Sequence, residues 1–86
     1  MKIKSVRMYQ TVYVTPQKSE QKHFYLGDKR NVGLTMDDHI QGVLFTFPHT
    51  DSETGESLKM ITLVPFTNIA SIVYEDQEDK KSKKKG

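Results

Sequence analysis

The stretch Leu63-Val64-Pro65-Phe66-Thr67-Asn68-Ile69-Ala70-Ser71-Ile72-Val73-Tyr74 decides the fold class. Proline has no N–H to give to a sheet ladder, so a strand arriving through Ile61 and Leu63 stops at Pro65. Thr67 and Asn68 turn a chain by bonding their own backbone, and Ile69, Ile72 and Val73 then resume an apolar run. A strand, a tight polar turn and a second strand make a corner in an all-β domain. The corner carries no chemistry of its own.

Upstream of it the chain keeps the same grammar. Ile3 to Thr15 is rich in β-branched and aromatic residues, with Val6, Met8, Val12 and Val14 on one parity and Arg7, Tyr9, Thr11 and Tyr13 on the other. The first set belongs in the core. Ile3 falls on the wrong face, which predicts a bulge near Lys4-Ser5. His23 to Leu26 reads as a short strand with Phe24 and Leu26 inward and Lys22 outward, closed by Gly27-Asp28. Val32, Leu34 and Met36 alternate as a third strand would, although Thr35-Met36-Asp37-Asp38 also suits the start of a single helical turn. Ile40 to Phe47 is the most apolar run, Gly42 marks a bulge or close approach, and Leu58 to Val64 is expected to pair back against it. Pro48 to Ser57 reads as an exposed hairpin loop. From Glu75 onward no apolar residue remains, so a domain over residues 1–75 and a charged, disordered tail over 76–86 are expected.

Five or six short strands with one sharp corner predict a small, partly open barrel or a strongly bent antiparallel sheet. The segment Leu63 to Ile69 resembles the corner of Src-homology-type and Sm-like barrels, where a short helical turn follows one strand and feeds the last. The chain lacks the acidic, tyrosine-rich ligand motif of proline-peptide-binding Src-homology modules, so that resemblance implies a fold and no binding residue. The layout, a short β-rich chain with a charged end, also resembles the small accessory proteins of tailed bacteriophages.

A chain of 86 residues makes one domain with a small core, burying about 60–65% of the surface its unfolded form exposes. The absence of cysteine removes disulfides and thiolate zinc sites. The basic N-terminus lacks the apolar run of a signal peptide, and no window approaches the roughly 18 apolar residues of a membrane span. A soluble, cytoplasmic protein without membrane contact is expected. The net charge of +2 conceals segregation. Lys2, Lys4, Arg7, Lys18, Lys22, Lys29 and Arg30 face only Glu20 and Asp28 in the first thirty residues, whereas Lys59 stands against nine acids between residues 31 and 79. Lys80, Lys81, Lys83, Lys84 and Lys85 close the chain. Such opposed regions steer partners by local field rather than by overall charge.

Catalytic motifs are absent. No serine sits in a nucleophile elbow, Asp37-Asp38 read as exposed, and Gly27, Gly33, Gly42 and Gly55 form no phosphate-cradling loop. Asp37-Asp38-His39 and His49-Thr50-Asp51 lack metal-ligand spacing and read as solvated polar residues; neither a cofactor nor a metal is expected. One constellation stands out, and it is basic and aromatic. Arg7, Tyr9 and Tyr13 on the first strand join Lys22, His23 and Tyr25 on the second, with Lys29 and Arg30 at the rim. Three readings fit it: a solvated sheet face, a protein interface using tyrosine and arginine anchors, or a platform for single-stranded DNA or RNA. The expectation is a non-enzymatic binding module acting through a protein partner, with nucleic-acid binding, aided by the lysine tail, as the alternative.

Overall fold

The computed structural model describes residues 2–14 and 20–76. It contains six strands: β1 (Ile3–Val12), β2 (Gln21–Tyr25), β3 (Thr35–His39), β4 (Gly42–Thr50), β5 (Ser57–Pro65) and β6 (Ile69–Tyr74). They form two three-stranded antiparallel sheets, ordered β2-β1-β6 and β3-β4-β5, which do not close into a barrel. The all-β class and the corner are as the sequence predicts. A 3-10 turn, Phe66–Asn68, follows Pro65 and feeds β6. Gln41 C=O accepts the Phe66 N–H at 3.1 Å, which ties the turn to the start of β4.

β1 bears out the alternation. Val6, Met8 and Val14 are buried, Val12 is half-buried, and Arg7, Tyr9, Thr11 and Tyr13 are exposed. Ile3 pairs with Tyr74 but Ser5 pairs with Val73, so Lys4 is an extra residue and Ile3 turns into the core. One bulge thus reconciles two runs of opposite parity. Ile3, Val6, Met8 and Phe24 from one sheet meet Met36, Val43, Phe45, Phe47 and Val64 from the other. The Phe24 and Phe45 rings meet edge-on at 5.2 Å, joining the two layers at the centre.

Three expectations need correction. Val32 is not a core residue of a third strand: it follows a 3-10 turn at Lys29–Asn31 and is exposed, and the strand begins at Thr35 beyond Gly33. Gly33 takes φ +88°, a left-handed conformation that reverses the chain and breaks the alternation. The rest of that strand is as expected: Leu34 and Met36 are buried, and residues 35–39 form a strand rather than the alternative helical turn. Ile40 does not belong to β4, because His39 pairs with Gly42 and so leaves Ile40 and Gln41 as the hairpin tip, with Ile40 exposed. The β4–β5 ladder also runs further than expected, from Gly42↔Pro65 to Thr50↔Ser57, which shortens the loop to residues 51–56. Most of the loop expected at Pro16–Gln21, and the tail beyond Asp76, lie outside the described residues.

Candidate functional site

The outward face of the β2-β1-β6 sheet is built by pairing. Arg7 stands between His23 of β2 and Ser71 of β6, and Ser5 stands between Tyr25 and Val73. Alternation along each strand therefore gathers Arg7, His23, Tyr25 and the exposed Val73 on one surface, opposite the buried Val6 and Phe24. The His23 and Tyr25 rings pack at 5.4 Å between centroids, tilted by 46°. Tyr9 continues the row along β1 and is 65% exposed.

The other candidate residues fall apart into separate settings. β1 carries extra residues between Arg7↔His23 and Val12↔Gln21, so the strands diverge and Lys22 leaves the parity of Phe24 to become exposed. Lys22, His23 and Arg30, with Glu20 and Gln21, line an open depression of about 270 Å³. Gln21 is buried there; its Nε2 donates to the His23 C=O at 3.4 Å, while its Oε1 has no partner. Tyr13 lies further on, and its hydroxyl donates to the Glu20 carboxylate at 2.9 Å. That hydrogen bond to Glu20, with some desolvation, raises the Tyr13 pKa above the ordinary phenol value.

Arg30 is committed to its own turn. Its Nε and Nη2 donate to the two Asp28 oxygens at 3.2 and 2.8 Å, and its backbone N–H donates to Oδ1 at 2.9 Å. Asp28 is buried and caps the 3-10 turn; the side-chain bonds from Arg30 lead in holding its carboxyl below the usual range, followed by the backbone bond. Lys29, beside it, is exposed. Among the described residues no acid pairs with Arg7, Lys22 or Lys29.

The structure thus brings Arg7 and Tyr25 together with Tyr9 alongside, places Lys22 and Arg30 at a neighbouring depression, and sets Tyr13 apart. His23 proves central to the face, and its shared parity with Tyr25 is the signal that ranks it above Lys22. Val73 and Ser71 enter through the β1–β6 pairing, which no local pattern in the chain announces. Among the described residues no three His, Asp or Glu side chains converge as metal ligands. His39 Nδ1 accepts the Gln41 N–H, and Asp51 Oδ1 accepts the Glu53 N–H, so both serve local turns. No helix among the described residues is long and apolar enough to cross a membrane. No family model, curated protein or solved structure matches the chain.

Proposed function

We propose that this chain is a non-enzymatic binding module that engages a protein partner through the outward face of the β2-β1-β6 sheet. The observation that carries the reading is the Arg7–His23–Tyr25 cluster, flanked by exposed Tyr9 and Val73 on a rigid sheet. Tyrosine and arginine anchors on a flat, partly apolar surface suit protein recognition, because rigid rings bury area at little entropic cost. The reading suits the accessory role implied by the resemblance to small phage proteins, which rests on the layout of the chain.

Nucleic-acid binding is the second reading, favoured by the unpaired Arg7, Lys22 and Lys29. Two features weigh against a phosphate track: Arg30 is spent on Asp28, and Glu20 sits beside Lys22 in the depression. Capture from a matched lysate, with and without nuclease, separates the two. A protein partner is expected to survive nuclease and high salt, whereas a phosphate-driven complex weakens log-linearly with salt. Tyr9→Ala combined with Tyr25→Ala is expected to weaken the captured complex by about 2 kcal/mol or more if these rings are anchors. Capture unchanged by the double substitution would remove this face as the site.

A further inference from the structure

Charge is graded across the β2-β1-β6 sheet. β2 carries Lys22 beside His23, β1 carries Lys4 and Arg7, and β6 carries no charged residue. No Asp or Glu stands in any of the three strands. The acids that flank β2 are held by the chain itself: Glu20 accepts the Tyr13 hydroxyl at 2.9 Å, and the buried Asp28 meets the Arg30 guanidinium at 2.8 Å. Among the described residues no acid pairs with Arg7 or Lys22. The free edge of β2 is closed to an added strand. The Leu26 N–H donates to the Lys4 C=O at 3.0 Å, and antiparallel bonding skips every other residue, so Tyr25 and His23 turn their backbone groups away from β1. There the His23 C=O accepts the Gln21 Nε2 at 3.4 Å and the Tyr25 C=O accepts the Asp28 N–H at 3.3 Å. Recognition on this side of the sheet falls to side chains.

We propose that the protein partner meets this face with an acidic segment, apolar along one side, whose carboxylates engage Arg7 and Lys22 while its apolar side chains cover Val73 and Tyr25. The proposal rests on the binding face argued above and adds the chemistry of its partner. Burial selects the charge. A protein that covers the row Ser71–Arg7–His23 takes the Arg7 guanidinium out of water, and a buried charge left without a counter-charge is strongly unfavourable. This chain supplies no carboxylate to Arg7, so the partner does. A guanidinium holds a carboxylate on two parallel N–H bonds, which fixes the orientation of the segment as well as its charge. Lys22 adds a second cation beside His23, on the depression that both line.

The uncharged strand decides between protein and nucleic acid. Ser71 stands across from Arg7 and the exposed Val73 across from Ser5, so the β6 side of the face offers a hydroxyl and an apolar side chain but no cation. A phosphate backbone gains little there. The cations on the β2 side form no track for it either, because Glu20 shares the depression with Lys22 and Arg30 is bound to Asp28. A protein segment with acids on one side and apolar residues on the other uses both sides of the face. Two carboxylate contacts keep its salt dependence small, since the contacts to Val73 and the rings are not screened.

Titration of the full chain with blocked peptides of about ten residues, followed through its amide signals, tests this. One peptide alternates Glu with Val, a second carries Gln in place of every Glu, and oligothymidylate of similar length serves as the polyanion. The Glu peptide is expected to bind about fivefold or more tighter than the Gln peptide, tighter than oligothymidylate, and with shifts at Arg7, Lys22, His23 and Val73. Arg7→Gln is expected to remove most of that advantage, whereas Arg7→Lys, which keeps the charge without the fork, retains part of it. Circular dichroism confirms that each variant keeps the fold. A Glu peptide that binds no tighter than its Gln counterpart overturns the proposal. So does tighter binding of oligothymidylate, or an advantage that survives Arg7→Gln combined with Lys22→Gln. The face itself is tested separately by the complex captured from lysate. Should that complex be lost on Tyr9→Ala with Tyr25→Ala yet ignore Arg7→Gln with Lys22→Gln, the face stands and its acidic partner falls. A complex indifferent to both pairs removes the face.

Discussion

At the scale of single residues, Asp28 shows how a charged group becomes part of the scaffold. Its carboxylate caps the turn after β2, receives the Arg30 side chain on both oxygens, and accepts the Asn31 Nδ2 at 3.4 Å. The carboxyl is held below its ordinary pKa by these bonds. A group whose pKa is lower in the folded than in the unfolded state adds stability above the unfolded value, and loses it as pH falls through the folded one. Asp28→Asn is therefore expected to melt below the parent at neutral pH, with the gap shrinking once pH drops under about 3.9. Thermal midpoints of both proteins from neutral to acid pH check this, and a gap that stays constant would show that the charge is not what counts. Gly42 makes the complementary point for backbone. A Cβ there would strike the Val64 C=O and the Pro65 Cα, so β5 approaches β4 at this place only because the residue has no side chain.

Among elements, the corner between β5 and β6 sets how the two sheets meet. The Asn68 side chain clasps the Gln10 backbone from both sides: its Oδ1 accepts the Gln10 N–H at 2.8 Å and its Nδ2 donates to the Gln10 C=O at 3.3 Å. An amide is long enough to act as one rung of a ladder where β1 has drifted from β6. Ile69 then enters β6 half-buried and packed on the core. Ile69→Ala is expected to cost about 1–2 kcal/mol, less than full burial would bring, because part of the side chain already meets water. Pro65→Ala, at an exposed strand end, is expected to cost less than about 0.5 kcal/mol. Urea midpoints at constant m-value measure both. An Ile69→Ala protein as stable as the parent would mean that the corner is held by Asn68 and the backbone alone.

Across the whole molecule, stability rests on two layers that share no strand. Their central contact is the edge-on pair Phe24 and Phe45, both with no exposed surface. A double-mutant cycle on Phe24→Leu and Phe45→Leu is expected to give a coupling energy of about 0.5–1.5 kcal/mol, the size of an aromatic pair beyond its buried area. Additive losses would indicate that each ring packs within its own layer and that the layers are joined at their rims. The same separation explains the surface chemistry. The basic, aromatic face belongs to one sheet and the acidic turn at Asp51–Glu56 to the far end of a hairpin in the other. Among the described residues the one ion pair, Arg30–Asp28, is local, and none crosses between the two sheets.

The chain on its own determined whatever depends on neighbours in sequence. Alternation along residues 6–14 sorted Val6, Met8 and Val14 from Arg7, Tyr9 and Tyr13, since side-chain direction in an extended chain has a period of two. β5 ends at Pro65, where the sequence placed its end, while the Phe66 N–H still reaches the Gln41 C=O beyond it, and the wrong parity of Ile3 announced the bulge at Lys4. Much of the proposed binding face was legible in the same way, because Arg7 and Tyr9 lie on one strand and Tyr25 on the next. What depends on residues distant in sequence was decided by tertiary structure. The conformation at Gly33 exposed Val32, the Asp28 cap took Arg30 out of the basic set, and strand divergence after Arg7 sent Lys22 to a neighbouring depression. Pairing between β1 and β6, more than sixty residues apart along the chain, brought Val73 beside Ser5 and left β5 with an open edge. Local pattern says which way a side chain points; the register between strands, set by the packing of the whole core, says what it points beside.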